Sequence, residues 1–336
     1  MPARSDAARP QSLPLSAPDP SAGVDEVEQA LIRMLQEDGR TTYADLAAAA
    51  GVTEKTAHRK VGRLLDQQVI KIVAVTDPAV LGYGAMALLS ITLSTGSRAR
   101  DVAERLAELP QVDYISITSG RYPLHVEVLG RDHAELAELI DEVIRVLPGV
   151  RDIDVVPYLR LHYQQARFHA AERNRDLGVR PTALDALDRQ IVERLARNGR
   201  APFIEIAEHV GVTQARVRQR LQKLTSTGVV KVMAIANPLH LGYQAVAWAE
   251  IKVAGGHSAD SIAEELTALP GVSYVALTIG RCDVLAEFVC TDHEELQVLL
   301  NERVRLIDGI RDIEVSQYFG LLYKPLLHPA PETAAG

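Results

Sequence analysis

The chain has 336 residues, a formal net charge of −8, 47% hydrophobic and 24% charged residues. That composition supports buried cores and excludes a polycation, so any nucleic-acid surface has to be local. No stretch approaches 18 consecutive apolar residues, which leaves no spanning helix, and 4% aromatics argues against a base-stacking platform.

Residues 1–23 carry several Pro, Ala and Ser without a signal-peptide core, and read as a disordered tail of a cytoplasmic protein. Three short helical patterns follow. Val27, Leu31 and Leu35 recur at helical spacing, a second helix covers Leu46 to Gly51, and a third starts at the cap Thr53 with Ala57, Val61 and Leu64 on one face. A helix, a Gly-bearing turn and a capped second helix form a helix-turn-helix pattern. The β-rich run Val69–Val73 reads as a wing or a connecting strand, ended by the turn signal Asp77-Pro78. From Tyr83 the pattern predicts strand, helix, strand, strand, helix, strand at about 84–94, 98–109, 112–119, 122–130, 132–147 and 150–158. This βαββαβ order implies an α+β, ferredoxin-like domain: an antiparallel sheet with both helices on one face and its other face in need of a partner.

The whole series then repeats at a displacement of 160 positions. Gly39-Arg40 falls on Gly199-Arg200, Leu81-Gly82-Tyr83 on Leu241-Gly242-Tyr243, Gly120-Arg121 on Gly280-Arg281, and Arg151-Asp152-Ile153 on Arg311-Asp312-Ile313. Roughly a third of residues 24–163 recur identically in 184–323, far beyond a solenoid period. In the second copy Leu184, Leu187, Ile191 and Leu195 end at Asn198-Gly199. Pro202 suits the first turn of the next helix, and Thr213 caps a third helix with Val217, Leu221 and Leu224 inward. The predicted division is a tail (1–23), helix-turn-helix 1 (24–76), ferredoxin-like domain 1 (77–163), a polar linker (164–182), helix-turn-helix 2 (183–236), ferredoxin-like domain 2 (237–323) and a tail (324–336). Two such sheets facing each other would make the chain a covalent pseudo-dimer.

These stretches together resemble the Lrp/AsnC family, the leucine-responsive or feast/famine transcriptional regulators. Leu187-Asp188 to Gly199-Arg200, Gly211-Val212-Thr213, Arg220-Leu221, Gly228 to Lys231, Pro238 to Tyr243, and Gly280-Arg281-Cys282-Asp283 carry the likeness. No one piece is specific; their order and spacing, occurring twice, is. The resemblance implies a DNA-binding winged helix-turn-helix followed by a ferredoxin-like, ligand-sensing (RAM-type) domain, usually one copy per chain, dimerising and assembling further. It implies double-stranded DNA and a small effector, commonly an amino acid, as partners, and a homo-oligomer of these chains, with no membrane partner.

With Val61 and Leu64, or Val217, Leu221 and Leu224, buried, the outward set of the third helix is Lys55, His58, Arg59 and Gly62 in one copy and Ala215, Arg218, Gln219 and Gln222 in the other. Candidate DNA contacts are therefore Thr53, Lys55, Thr56, His58, Arg59, Lys60 and Arg63, with Thr213, Gln214, Arg216, Arg218, Gln219, Arg220 and Lys223. Arg59 and Arg218 suit guanine, Gln219 adenine, and Arg63 and Lys223 phosphate. Lys60 and Arg220 lie nearer the buried side and suit a structural role. The alternative is a basic helix face that only aids solubility. Because the outward sets differ, the expected operator has two unlike half-sites.

In the resembled family the effector binds between sensing domains, at the loop between the second and third strands. That implies Thr118, Gly120, Arg121, Tyr122, Thr278, Gly280, Arg281 and Asp283 as candidate effector residues. Pro123 stands where the first copy would need the acid that Asp283 supplies. For the glycines alone, a tight hairpin turn explains them equally. Cys282 and Cys290, in one predicted strand, read as buried thiols. His133 and His293 follow helix caps, no metal-ligand spacing occurs, and no catalytic constellation or cofactor is implied. Siroheme decarboxylases share this plan and form the enzymatic alternative; they require a His-bearing motif where this chain has Ile117 to Arg121 and Leu277 to Arg281, while His125 lies on the next strand and Leu285 replaces it in the other copy. An effector-binding protein without DNA affinity is the third reading.

Overall fold

The computed structural model describes residues 23–164 and 184–324. The expected tail before Gly23, the linker from 165 to 182 and the tail past 324 lie outside the described residues. The first helix-turn-helix consists of α1 (Glu26–Glu37), α2 (Tyr43–Ala50) and α3 (Glu54–Asp66), the second of α6 (Ala186–Arg197), α7 (Phe203–Val210) and α8 (Gln214–Ser226). Local chemistry sets the starts: the hydroxyls of Thr53 and Thr213 accept from the amides of Thr56 and Arg216, satisfying donors that the first turn leaves free. Asp25 and Glu28 form a reciprocal capping box on α1. Pro202 sits one position earlier than expected, as the cap residue of α7 rather than in its first turn.

Between heads and sensing domains run β1 (Ile70–Thr76) and β6 (Val230–Ala236). Of the two roles open to them, these strands connect: they pair with each other, antiparallel, from Ile70↔Ala236 to Thr76↔Val230. The two heads and this ribbon share one continuous core containing Leu31, Leu35, Val61, Ile191, Leu195 and Val217. The duplicated Gly39-Arg40 and Gly199-Arg200 lock it. Gly39 N–H donates to Val232 O (2.9 Å) and Gly199 N–H to Ile72 O (2.7 Å). A Cβ at Gly39 would lie 3.0 Å from the Met233 backbone, and one at Gly199 2.9 Å from that of Ile72, so only glycine lets the ribbon pass. Arg40 donates to the carbonyls of Gly199 and Ala201 and stacks on Phe203, while Arg200 donates to Thr41 O and stacks on Tyr43.

Each sensing half follows the expected order: β2 (Ala85–Leu93), α4 (Ala99–Ala107), β3 (Val112–Thr118), β4 (Leu124–Gly130), α5 (His133–Glu138) and β5 (Val150–Gln164), then β7 (Ala245–Val253), α9 (Ala259–Thr267), β8 (Val272–Thr278), β9 (Val284–Cys290), α10 (His293–Glu302) and β10 (Ile310–Tyr323). Asp132 and Asp292 cap their helices as expected. Three boundaries differ from the sequence expectation. The third strand starts at Leu124, because Tyr122 and Pro123 belong to the turn. The helix after Asp132 passes into a π-helical turn over Leu139–Ile144. The last strand reaches Gln164, not 158, so Gln164 closes a strand rather than opening a linker.

That extra length carries the architecture. β5 pairs with β2 up to Pro157, then from Tyr158 onward with β8 of the other half; β10 likewise leaves β7 after Gln317 and joins β3. The eight strands close into one barrel, in the order β10-β3-β4-β2-β5-β8-β9-β7. Closure leaves no open sheet edge. The two sheets do face one another, with Leu88 and Val156 of one half packed among Trp248, Tyr274, Leu285 and Tyr318, but they are also joined edge to edge. The helices cover the outside over separate cores. Lys324, expected in the tail, is buried and donates its N–H to Asp113 O at 2.7 Å.

Candidate nucleic-acid interface and sensing site

On α3, Lys55, His58 and Arg59 are exposed, and with Thr56 they line an open depression, while Ala57, Val61 and Leu64 are buried. On α8, Gln214, Ala215, Arg216, Arg218, Gln219, Gln222 and Lys223 are exposed over buried Val217, Leu221 and Leu224. The His58 ring lies 4.5 Å from that of Tyr43, Arg218 extends over Phe203 at 5.7 Å, and Arg216 donates to Gln219 at 3.2 Å. Lys55, His58 and Arg59 and the second copy's set thus lie outward, the two faces are unlike, and Gly62, expected outward, is half-buried.

Three of the fourteen candidates turn inward. Lys60 pairs with Asp25 and Glu28, and Arg220 with Asp185 (2.6 Å) and Asp188 (3.3 Å), clipping the third helix of each unit to its first. Arg63, expected at a phosphate, corrects that reading: its Nε and Nη2 both donate to Glu28, which is 1% exposed. A buried carboxylate needs paired donors, and Arg63 supplies a fork that a phosphate would have to displace. Its counterpart Lys223 stays exposed.

The two loops after β3 and β8 have diverged more. Gly120 and Gly280 both adopt positive φ (90° and 111°), and the Thr118 and Thr278 hydroxyls donate across the turn to the carbonyls of Tyr122 and Cys282. These groups shape the hairpins. Asp283 holds structure too: its carboxylate accepts from Val253 N–H (2.8 Å) and from Lys252 (3.1 Å), so the acid expected to meet a ligand ammonium already has donors. Arg121 points outward, over the Tyr122 ring at 5.1 Å. Arg281 turns into the barrel instead, stacks on Tyr122 at 4.4 Å, and donates from Nη2 to Ser90 Oγ (2.7 Å) and Glu250 Oε1 (2.8 Å).

Ser90 in turn sits 3.0 Å from His125 Nδ1. The other ring nitrogen of His125, Nε2, is buried without a partner. Burial and the nearby Arg281 push the imidazole down to about 3, so it is neutral at pH 7. Burial raises Glu250 to about 7 against the pull of Arg281. Arg281 Nε and Nη1, Glu250 Oε2 and Ser116 Oγ also lack partners. This network draws Ser90 and His125 from one half and Arg281 and Glu250 from the other. The repeat register holds the signal that finds it: Ser90 falls on Glu250, His125 on Leu285 and Tyr122 on Cys282, changes of polarity or charge at equivalent positions. Cys282 and Cys290 are buried free thiols, which burial raises to about 11 and about 12.

An AsnC-type helix-turn-helix domain matches residues 24–65 and again 184–225, an Lrp/AsnC ligand-binding domain matches 85–167, and a C-terminal dimeric alpha+beta barrel domain matches 244–324. An uncharacterized HTH-type transcriptional regulator of Pyrococcus abyssi is 35% identical over 132 residues, which is 39% of this chain and 83% of that protein. The chain belongs to the Lrp/AsnC family. Regulatory protein AsnC of Haemophilus influenzae is 25% identical over 134 residues, 40% of this chain and 89% of its own. Such coverage is what a duplicated member gives against single-copy relatives. Among solved structures, the siroheme decarboxylase NirDL aligns over 92% of this chain and 95% of its own with a TM-score of 0.59 and 17% identity, a likeness of fold. No helix among the described residues is long and apolar enough to cross a membrane.

Proposed function

We propose that this Lrp/AsnC-family regulator uses α3 and α8 together to read a two-half-site operator whose halves differ. The observation that carries this reading is the pair of unlike exposed faces, Lys55/His58/Arg59 against Arg218/Gln219/Gln222, on heads tied by one ribbon and one core. Base contacts fall to Arg59, Arg218 and Gln219, and phosphate contacts to Lys55, Arg216 and Lys223; Thr53 and Thr213 place helix starts at the backbone. Selection of bound duplexes from random sequence tests it. Recovery of two dissimilar half-sites at fixed spacing is expected, and recovery of perfect palindromes would overturn it.

The small effector meets the loops at Gly120 and Gly280, and the second loop answers more directly because Arg281 links it to the barrel interior. A melting-temperature screen with the amino acids, repeated on Arg281→Met, tests this. Equivalent bulge residues Leu159 and Phe319, 66% and 63% exposed, support association of these chains into a homo-oligomer, measured by sedimentation of the wild type against Leu159→Lys/Phe319→Lys. The regulator reading carries no catalysis. An enzymatic one draws on the whole-length fold likeness, and purified protein holding a tetrapyrrole absorbance band would favour it.

A further inference from the structure

Glu127 and Glu287 occupy equivalent places inside the barrel, and each accepts from two tyrosine hydroxyls, one per half: Tyr158 and Tyr274 at 2.7 Å for Glu127, Tyr318 at 2.8 Å and Tyr114 for Glu287. Their third neighbours differ. Ser273 donates its hydroxyl to Glu287. The equivalent residue beside Glu127 is Asp113, so carboxyl meets carboxyl, hydrogen-bonded, with both groups under 5% exposed. Two carboxyls in that contact do not both ionise, and burial raises both of them toward the protonated form. Asp113 Oδ1 has no hydrogen-bond partner; the Lys324 ammonium acts on Asp113 through space, but its hydrogen bonds go to the carbonyls of Ala107 and Leu109.

A cavity of about 20 Å³ opens onto this pair. It touches Asp113, Glu127, Tyr274 and Tyr323 on the barrel side, Thr76 on β1, and Val192 on α6 of the second head. That volume holds one water-sized guest.

We propose that this cavity binds one small monovalent cation of the sodium, potassium or ammonium class, held by Asp113 Oδ1 and Glu127. Ionised once, the pair offers a single negative charge beside the Lys324 ammonium, which suits one positive charge at most, and the size admits nothing larger without movement. A divalent ion asks for more carboxylate or imidazole ligands than are here; no group of three His, Cys, Asp or Glu able to hold a metal occurs among the described residues. The site exists once per chain, because Ser273 fills the same role in the other half. Its guest sits where the ribbon under the heads meets the barrel.

Thermal melting of the full-length chain in sodium, potassium, ammonium and tetramethylammonium chlorides at one ionic strength tests the proposal. The wild type is expected to melt about 2–4 °C higher in at least one small cation than in tetramethylammonium, saturating with concentration. Asp113→Ser, which copies the second half's arrangement, is expected to melt identically in all four salts. Asp113→Asn, which keeps shape and removes charge, does the same should the serine variant fail to fold. Equal wild-type melting in every salt would mean water alone occupies the cavity and would overturn the proposal, as would a cation increment that survives in the variants.

Discussion

Around the ribbon, the two copies remain alike: Gly39 and Gly199, and Arg40 and Arg200, reach across to matching places in the other copy, and Thr53 and Thr213 cap equivalent helices of their own. Inside the barrel the tyrosine-bound Glu127 and Glu287 still match, but other places do not. There Ser90, His125 and Ser116 of one half lie in register across β2, β4 and β3, while the other half has Glu250, Leu285 and Ala276 in those places. The pseudo-two-fold is kept where both copies must fit each other's backbone and dropped where only side chains are at stake. A homodimer could not make this distinction, since any polar residue added to one subunit appears in both. Fusion lets a single Arg281 meet a single His125.

The sharpest way to break that comparison is the interior. Trp248, 2% exposed, faces Leu88 across the barrel, and Trp248→Ala is expected to cost about 3–5 kcal/mol in denaturant unfolding. Next comes the arginine pair. Arg281→Met strands Glu250, 7% exposed, and is expected to lower stability by about 2–4 kcal/mol, whereas the exposed equivalent Arg121→Met should leave the melting temperature within about 1–2 °C. Equal effects would mean that the inward turn of Arg281 has no energetic consequence.

The pH dependence sharpens the same point. Glu250 titrates near 7 in the fold and near 4.5 outside it, so between those values the native state binds the extra proton. Its contribution is full below about 4.5 and is lost as pH rises through about 7. Glu250→Gln is expected to flatten the stability curve over that window relative to the wild type; an unchanged slope would remove Glu250 from the account. On the DNA side, Arg59→Ala and Arg218→Ala should each weaken operator binding by about 1–3 kcal/mol and relax different half-sites. The smallest effect concerns the helix clips. Glu28→Ala removes a capping box, the partner of Arg63 and one of the two partners of Lys60, and is expected to cost about 1–2 kcal/mol, more than Asp188→Ala, which leaves Arg220 paired with Asp185.

Much of this was legible in the chain because it is written locally or twice. Caps at Thr53, Thr213, Asp132 and Asp292 depend on a hydroxyl or carboxylate within three residues of an amide, and the repeat reports the pairing of whole domains. The strand exchange at Pro157/Tyr158 and Gln317/Tyr318 was not legible. It is a choice between partners a hundred residues apart, and an apolar alternating strand looks the same beside either one. The inward turn of Arg63 escaped for a related reason: helical periodicity places it at the flank, and only the buried carboxylate of Glu28, on another helix, decides which way it goes. His125 was visible as a departure between copies, but its link through Ser90 to Arg281 and Glu250 of the other half was not.

Because β5 and β10 each complete the sheet of the opposite half, the covalent join does not hold the particle together; it fixes stoichiometry. One chain carries one of each half, so no dilution separates them, and mismatched pairings of two first halves or two second halves never compete. A polypeptide cut between 165 and 183 should still run as one body, and the pieces expressed apart should find each other in preference to themselves, since only the mixed pair brings Arg281 to Ser90.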